Sequence, residues 1–423
     1  MRSKGHLVEL LGSDYIRGIA LLSGGQATAA LIPIFSAPVL GRIYSPADYV
    51  LLAIFISVSQ LFVVVASLQY RHAIIAEKSD RRALTALGLC ISLNAIIASV
   101  VLLAVVSFFL IKRELFTVFQ NGWWLLFLPL SVLVNSFMLA VSTYANRLER
   151  YKIMTSIQIV AALLSVVVPI WLGLLGWGGN GLMTALMISQ IAAAALYVSW
   201  LFADIGSNKR RIASYRELKI SALRNRRFPF FTLPGVLLSS MSMQVPIFAL
   251  TFLGAETALG AFNRARSLVS MPSTLMGEAV GQGFRARASR QYRETGTCRT
   301  LMVKSMLGMS LLGFFPFGVL FVWGEPVIAL YLGPEWKIAG TIATILAPML
   351  YLRFISAPFG AVFQFTGRQK LAFKLNVVFS ILIISSVSYC LYIGVDALGV
   401  ITAFSVAYAA VHTVQLITSI VIS

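Results

Sequence analysis

Charged residues are scarce in this chain, and acidic ones are the scarcest. Of 423 residues, 12% are charged and only 15 are Asp or Glu. Soluble domains carry about 25% charged residues, so a soluble globular protein is excluded. Cysteine is nearly missing: Cys90, Cys298 and Cys390 are odd in number and widely scattered. That argues against a disulfide framework and a thiolate metal site, and leaves them as small core residues. Histidine is limited to His6, His72 and His412. There is no H-E-x-x-H, no paired-cysteine motif, no nucleophile elbow and no G-x-x-x-x-G-K-[ST] loop. The usual parts of metal, nucleophilic and nucleotide chemistry are therefore lacking. The expectation is a non-enzyme without a cofactor or metal, with transport as the default. Short alternating segments are lacking too, which excludes a membrane β-barrel.

What the chain has is apolar length. Hydrophobic residues make up 58% of it. Several runs exceed the roughly 18 residues that cross a hydrocarbon core about 30 Å thick. Twelve spans are expected, at 16–40, 47–69, 83–111, 123–145, 153–175, 180–203, 229–253, 262–284, 301–323, 339–366, 371–393 and 398–422. Backbone polar groups in lipid must be satisfied within each segment, so every span is a helix. The first run is too long for a signal-peptide core and is read as a retained span.

The 34 Lys and Arg residues set the orientation. With the N-terminus in the cytoplasm, only Arg42, Lys112, Arg113 and Lys337 fall on the outer side. Arg264, Arg266 and Arg353 lie inside spans, and all the others are cytoplasmic. This positive-inside bias places both termini in the cytoplasm. The formal net charge of +19 then reflects topology and attraction to anionic lipid, not nucleic-acid binding.

The longest loop, "DIGSNKRRIASYRELKISALRNRR" from Asp204 to Arg227, carries eight basic residues at mid-chain. It divides the chain into a six-span bundle at 1–203, a basic cytoplasmic linker at 204–228 and a second six-span bundle at 229–423. Part of the linker is expected to be helical and to lie on the membrane surface. Echoes support two related halves. "PIFSAPVLG" (Pro33 to Gly41) returns as "PIFALTFLG" (Pro246 to Gly254), and Gln69 meets Gln282 at the same offset. "GWGGNGLMTA" (Gly176 to Ala185) returns as "GVDALGVITA" (Gly394 to Ala403), and Arg150 and Lys152 meet Arg368 and Lys370. Six spans per half is an even number, so the repeat is parallel, about an axis along the membrane normal. The fold class is thus an all-α polytopic membrane protein of twelve helices in two six-helix bundles.

Ionisable residues inside spans are costly and usually face a cavity or a partner. On span 262–284, Arg264, Ser267, Glu278 and Gln282 form one stripe at helical spacing. Two readings apply: a hydrophilic lumen in which Arg264 and Arg266 hold an anion, or arginines that snorkel to the interface while Glu278 pairs with a neighbouring helix. Arg353, in "APMLYLRFISAPFG", is too deep to snorkel easily and is the leading lumen residue. Glu278, Gln282 and Ser267 are candidates for a coupling or a structural polar role. Pro33, Pro246, Pro272, Pro348 and Pro358 are candidate helix-bend positions, either static kinks or bends that shift between inward-open and outward-open states.

Three blocks carry a family resemblance: Gly41 to Asp80, Arg227 to Leu250 and Leu332 to Lys370. "GRIYSPADYVLLAIFISVSQLFVVVASLQYRHAIIAEKSD", "RFPFFTLPGVLLSSMSMQVPIFAL" and "LGPEWKIAGTIATILAPMLYLRFISAPFGAVFQFTGRQK" resemble the O-antigen and exopolysaccharide flippases of the multidrug/oligosaccharidyl-lipid/polysaccharide exporter superfamily. The resemblance implies two six-helix bundles meeting in a V around a cationic lumen. It implies a substrate of undecaprenyl-diphosphate-linked oligosaccharide, moved across the bacterial inner membrane by alternating access. It also implies membrane lipids and polysaccharide polymerase or assembly proteins as partners, and a monomer as the working state. The alternatives are a multidrug or cation antiporter of the same superfamily and a membrane glycosyltransferase or polymerase. The first would favour acidic lumen residues where this chain has arginines. The second would need a catalytic base or a large outer loop.

Overall fold

A computed structural model describes residues 13–111, 122–207 and 213–423, with side chains except at 13–23, 122, 207, 272–279, 282, 283, 286 and 364. Among the described residues there is no strand. The first half comprises α1 (Ser13–Ile43), α2 (Tyr49–Ala66), the short α3 (Arg71–Ala76), α4 (Asp80–Ile111), α5 (Leu128–Arg147), α6 (Tyr151–Leu174) and α7 (Gly179–Ser207). A short linker helix, α8 (Tyr215–Arg224), follows. Then come α9 (Leu233–Phe252), α10 (Glu256–Thr295), α11 (Arg299–Leu332), α12 (Lys337–Ser356), α13 (Val362–Phe365), α14 (Gln369–Tyr392) and α15 (Ala397–Ile422).

Among the described residues, eleven helical stretches are long and apolar enough to cross a membrane. They coincide with eleven of the twelve expected spans. The twelfth, α10, is 40 residues long. At 1.5 Å per residue it exceeds the hydrocarbon thickness, but Arg264, Arg266, Glu278 and the arginines of its last turns make it too polar to stand out by composition. The protein is an all-α, multi-pass membrane protein.

Two spans end differently from the sequence expectation. The ninth does not stop at residue 323, since α11 continues to Leu332. Trp323 leaves the helical region there (φ −123°, ψ 28°), just before Pro326. Proline has no N–H to give the preceding turn, so the helix bends and then resumes. The tenth span breaks early. After Ser356 the chain tightens into a 3₁₀ segment, Ala357–Ala361, that contains Pro358. Pro358 therefore marks a helix end, while Pro246 and Pro348 lie inside α9 and α12, and Pro33 lies inside α1.

Helix ends carry the repeat. Gly176 and Gly394, paired by the sequence echo, both close a helix with positive φ, 76° and 75°. Trp177 N donates to Leu172 O at 3.1 Å, and Val395 N donates to Cys390 O at 3.0 Å, the same bond at the same place. Glu149 (φ 56°) and Gly367 (φ 73°) are a second matched pair. The other echo has drifted. Gly254 closes α9 with φ 64°, but Gly41 is inside α1, which runs on to Ile43.

The chain forms two compact units: Met1–Ser36 with Val58–Leu237, and Ala37–Ser57 with Leu238–Ser423. The first has a core around Ile74, Leu87, Cys90, Tyr144 and Tyr197. In the second, α12 is the most buried span. Gly340 lets it lie directly on the backbone of Glu325 in α11, where any side chain would collide. Phe262, Trp336, Leu350, Phe354 and Phe404 fill the surrounding core.

Candidate functional site

The three in-span arginines all belong to the second unit, and local packing sends them two ways. A capped turn, Pro46–Asp48, sets up the first neighbourhood. Ser45 N and Oγ both donate to Asp48 Oδ2 at 2.9 Å. Gly260 of α10 rests on the Pro46 carbonyl with no room for a Cβ. This close approach brings α10 beside Tyr49. The Tyr49 ring is buried edge-on against Trp336, 5.5 Å between centroids. Trp336 Nε1 donates to Gly41 O at 2.8 Å. Arg264 places its guanidinium carbon 5.3 Å from the centre of the Tyr49 ring, a cation–π contact. Its Nε and Nη2 are buried without a hydrogen-bond partner among the described residues.

Arg266 is two residues further on, about 200° around the helix, and enters a different neighbourhood. Its Nη1 donates to Met243 O of α9 at 2.8 Å. Its guanidinium carbon lies 5.2 Å from the Phe262 ring centre. Arg353, in the last turn of α12, is close enough to act electrostatically on Arg266. Helix α15 supplies the rest. The Tyr408 hydroxyl contacts Met243 Sδ, and the Tyr408 and His412 rings are 5.2 Å apart. His412 Nδ1 is 2.8 Å from Ser356 Oγ. Ser356 Oγ donates to Arg353 O at 3.2 Å, so the pairing is complete when Nδ1 carries the proton. The Arg353 charge acts on Tyr408 and His412 as well.

Among the described residues, no carboxylate lies within ion-pair distance of Arg264, Arg266 or Arg353. No described residue receives a hydrogen bond from the Arg353 guanidinium either. Among the described residues Arg266 spends one N–H donor and Arg353 spends none, so most of their donors are unspent. A guanidinium offers five donors in a planar fork that matches phosphate and carboxylate oxygens. Attraction to an anion is stronger there than in water. Donors of this kind are chemically suited to an anion.

Of the other sequence candidates, Ser267 is exposed. The side chains of Pro272, Glu278 and Gln282 lie outside the described residues. Tyr408, His412 and Ser356 escaped the sequence reading, although Tyr408, His412 and Gln415 at i, i+4 and i+7 form a polar stripe on an otherwise apolar helix. The first unit has a neutral counterpart within its spans. Ser59 Oγ is 3.2 Å from Ser131 Oγ, and Ser131 Oγ donates to Gln190 Oε1 at 3.0 Å. Asn135 Nδ2 donates to Ser131 O at 2.8 Å.

A family model described as "Polysaccharide biosynthesis protein" matches residues 39–341. The chain belongs to that family. Its fold is that of the multidrug/oligosaccharidyl-lipid/polysaccharide exporter superfamily. The structure of the lipid II flippase MurJ in an inward closed conformation is similar over 94% of this chain and 87% of that one, with a TM-score of 0.67 and 16% identity. An outward-facing multidrug resistance MATE family transporter matches over 95% and 94%, with a TM-score of 0.61 and 16% identity. The eukaryotic MATE transporter AtDTX14 matches over 96% of each chain, with a TM-score of 0.60 and 13% identity. A search of curated proteins by sequence gives no match. The family places the chain in polysaccharide biosynthesis, and its fold is the one these solved transporters share.

Proposed function

We propose that the protein translocates undecaprenyl-diphosphate-linked oligosaccharide, such as an O-antigen or exopolysaccharide repeat unit, across the bacterial inner membrane by alternating access. The observation that carries this reading is the pair Arg266 and Arg353, set among membrane-spanning helices with no described carboxylate to neutralise it. Leaving a cation inside the hydrocarbon region costs about 2.5–3.5 kcal/mol on insertion scales. An anionic headgroup would recover much of that. A lipid diphosphate brings such a headgroup while its tail stays in the bilayer. Arg266 and Arg353 take the diphosphate in this scheme, and Arg264 is a separate basic station beside Tyr49.

The family supports a place in polysaccharide biosynthesis, and the likeness to a lipid II flippase agrees with a lipid-linked substrate. The two-bundle division at 203 and 229, the cytoplasmic termini, a monomeric working state and contact with polysaccharide polymerase or assembly proteins belong to the same proposal. A cation antiporter fits less well, because arginines repel cationic drugs. The test is complementation of a flippase-null strain with wild type, Arg266→Ala and Arg353→Ala at matched membrane levels. The wild type should restore surface polysaccharide and the variants should restore little. A wild type that restores none, over a panel of repeat units, removes the proposal.

A further inference from the structure

A second basic site lies in the first unit. Helix α8 docks across the start of α4. Leu218 packs toward the core cluster of that unit, and Tyr70 OH donates to Ala222 O at 3.2 Å. On one flank of this contact is a cleft of about 330 Å³, lined by Arg81, Arg82, Arg224, Glu77, Glu217 and three hydroxyl residues. That volume is within the range of small-ligand pockets, about 300–1,000 Å³.

The charges in the cleft do not cancel. Arg81 pairs with Glu217 at 2.9 Å and Arg224 with Glu77 at 3.6 Å. Glu77 also accepts from Asn225 Nδ2 at 3.0 Å. Arg82 has no carboxylate partner among the described residues. Asp80, at the start of α4, is engaged by Arg147 at 3.3 Å. The cleft also opens on the N-terminus of α4, a 32-residue helix, where free N–H groups and the helix dipole favour an anion. An independent sign of a missing ligand is Ser221. It lines the cleft, is 4% exposed, and its Oγ has no hydrogen-bond partner. Buried hydroxyls are ordinarily satisfied.

We propose that this cleft binds a phosphate group, held by Arg82, by the spare N–H groups of Arg81 and Arg224, and by the hydroxyls of Ser79 and Ser221. Its place favours a lipid headgroup over free phosphate. The α4 membrane span begins at Asp80. On the exposed face of α8, Tyr215, Ile220 and Leu223 stand among Arg216 and Lys219, the mixture of an interfacial helix. The site is independent of the reading given to Arg266 and Arg353.

The test uses full-length protein in detergent with Arg264→Ala, Arg266→Ala and Arg353→Ala in the background, so that the in-span arginines do not contribute. Short-chain phosphatidylglycerol, short-chain phosphatidylcholine and inorganic phosphate are titrated separately and followed by phosphorus NMR and calorimetry. Arg82→Gln should weaken phosphatidylglycerol at least 5-fold. Glu217→Gln keeps the helix-capping acceptor but frees Arg81, and should tighten binding several-fold, an effect that a merely structural role would not produce. Inorganic phosphate that binds with the same sensitivities supports a general phosphate site. Phosphatidylglycerol alone binding so supports a headgroup site. Equal uptake of both lipids, unmoved by Arg82→Gln and Glu217→Gln, is simple partitioning and overturns the proposal, as does binding of no probe.

Discussion

Replacing Arg353 with Gln separates a binding arginine from a structural one. A structural arginine inside a membrane protein is held by a carboxylate or by carbonyl groups, and its loss leaves those groups unpaired at several kcal/mol. Arg353 has neither among the described residues, and it faces the like charge of Arg266. Two like charges 4 Å apart at an effective dielectric constant of about 20 repel by about 4 kcal/mol. The repulsion here is a fraction of that at any larger separation. Arg353→Gln should therefore leave thermal stability unchanged or raise it slightly. Its effect on a lipid diphosphate should be opposite in sign. A hydrogen bond to a charged group contributes about 1.5–3 kcal/mol, so losing one such donor should weaken binding about 10- to 150-fold. The assay is paired: the unfolding midpoint in detergent, and titration with a short-chain isoprenyl diphosphate. Marked destabilisation with unchanged affinity would refute the reasoning and return Arg353 to a structural role.

Three further outcomes follow from the local geometry. Trp336→Phe keeps most of the buried ring but removes the donor to Gly41 O, 2.8 Å away; stability should fall by about 1–3 kcal/mol, read from denaturant or thermal unfolding. At the matched helix ends, Glu149→Gly should stabilise and Gly367→Ala should destabilise, each by about 0.5–1 kcal/mol. Both positions have positive φ, which glycine tolerates and other residues do not. The Glu217 carboxyl is held below its usual pKa of 4.5 by the Ser214 backbone N–H and then by Arg81. A depressed carboxylate contributes stability that is present above 4.5 and is lost as pH falls through the folded value. The docking of α8 should therefore loosen as pH falls below 4.5 and not in mild alkali, visible as faster amide exchange over residues 215–224.

Much of this was readable before any coordinates because lipid imposes simple rules. Backbone groups without water must close on themselves, so apolar length alone located eleven spans, most of them to within a few residues. The arginine-rich α10 had to be inferred, and its length in the structure agrees with the inference. Helix ends at "GWGGNG" and "GVDALG" could be paired because glycine is needed where φ turns positive, and Gly176 and Gly394 do share that conformation. Glu149 and Gly367 could not be paired that way, since one copy has kept the backbone shape without the glycine. The end of α11 was missed for a related reason. Proline inside a helix removes one bond, and whether the helix then stops or resumes depends on packing. Here the contact of Gly324 with Gly340 of α12 accompanies the resumption.

The arginines show where one-dimensional reading needs one more step. Grouping Arg264 and Arg266 as a single basic feature uses their proximity in sequence, yet residues two apart on a helix point nearly opposite ways. Geometry assigns Arg264 to an aromatic neighbourhood, over the face of the Tyr49 ring, and Arg266 to one that it shares with a second cation. The partner of Arg266 is Arg353, 87 residues away in sequence, and only the packing of α10, α12 and α15 brings it near. A polar stripe on α15, Tyr408 and His412 one turn apart, marks the same place from the third helix. Three helices thus meet at one basic locus. A snorkelling arginine needs only its own side chain and the interface, whereas this arrangement holds two cations together with no described carboxylate between them. Under the proposed function, a substrate of opposite sign would offset their repulsion for part of the working cycle.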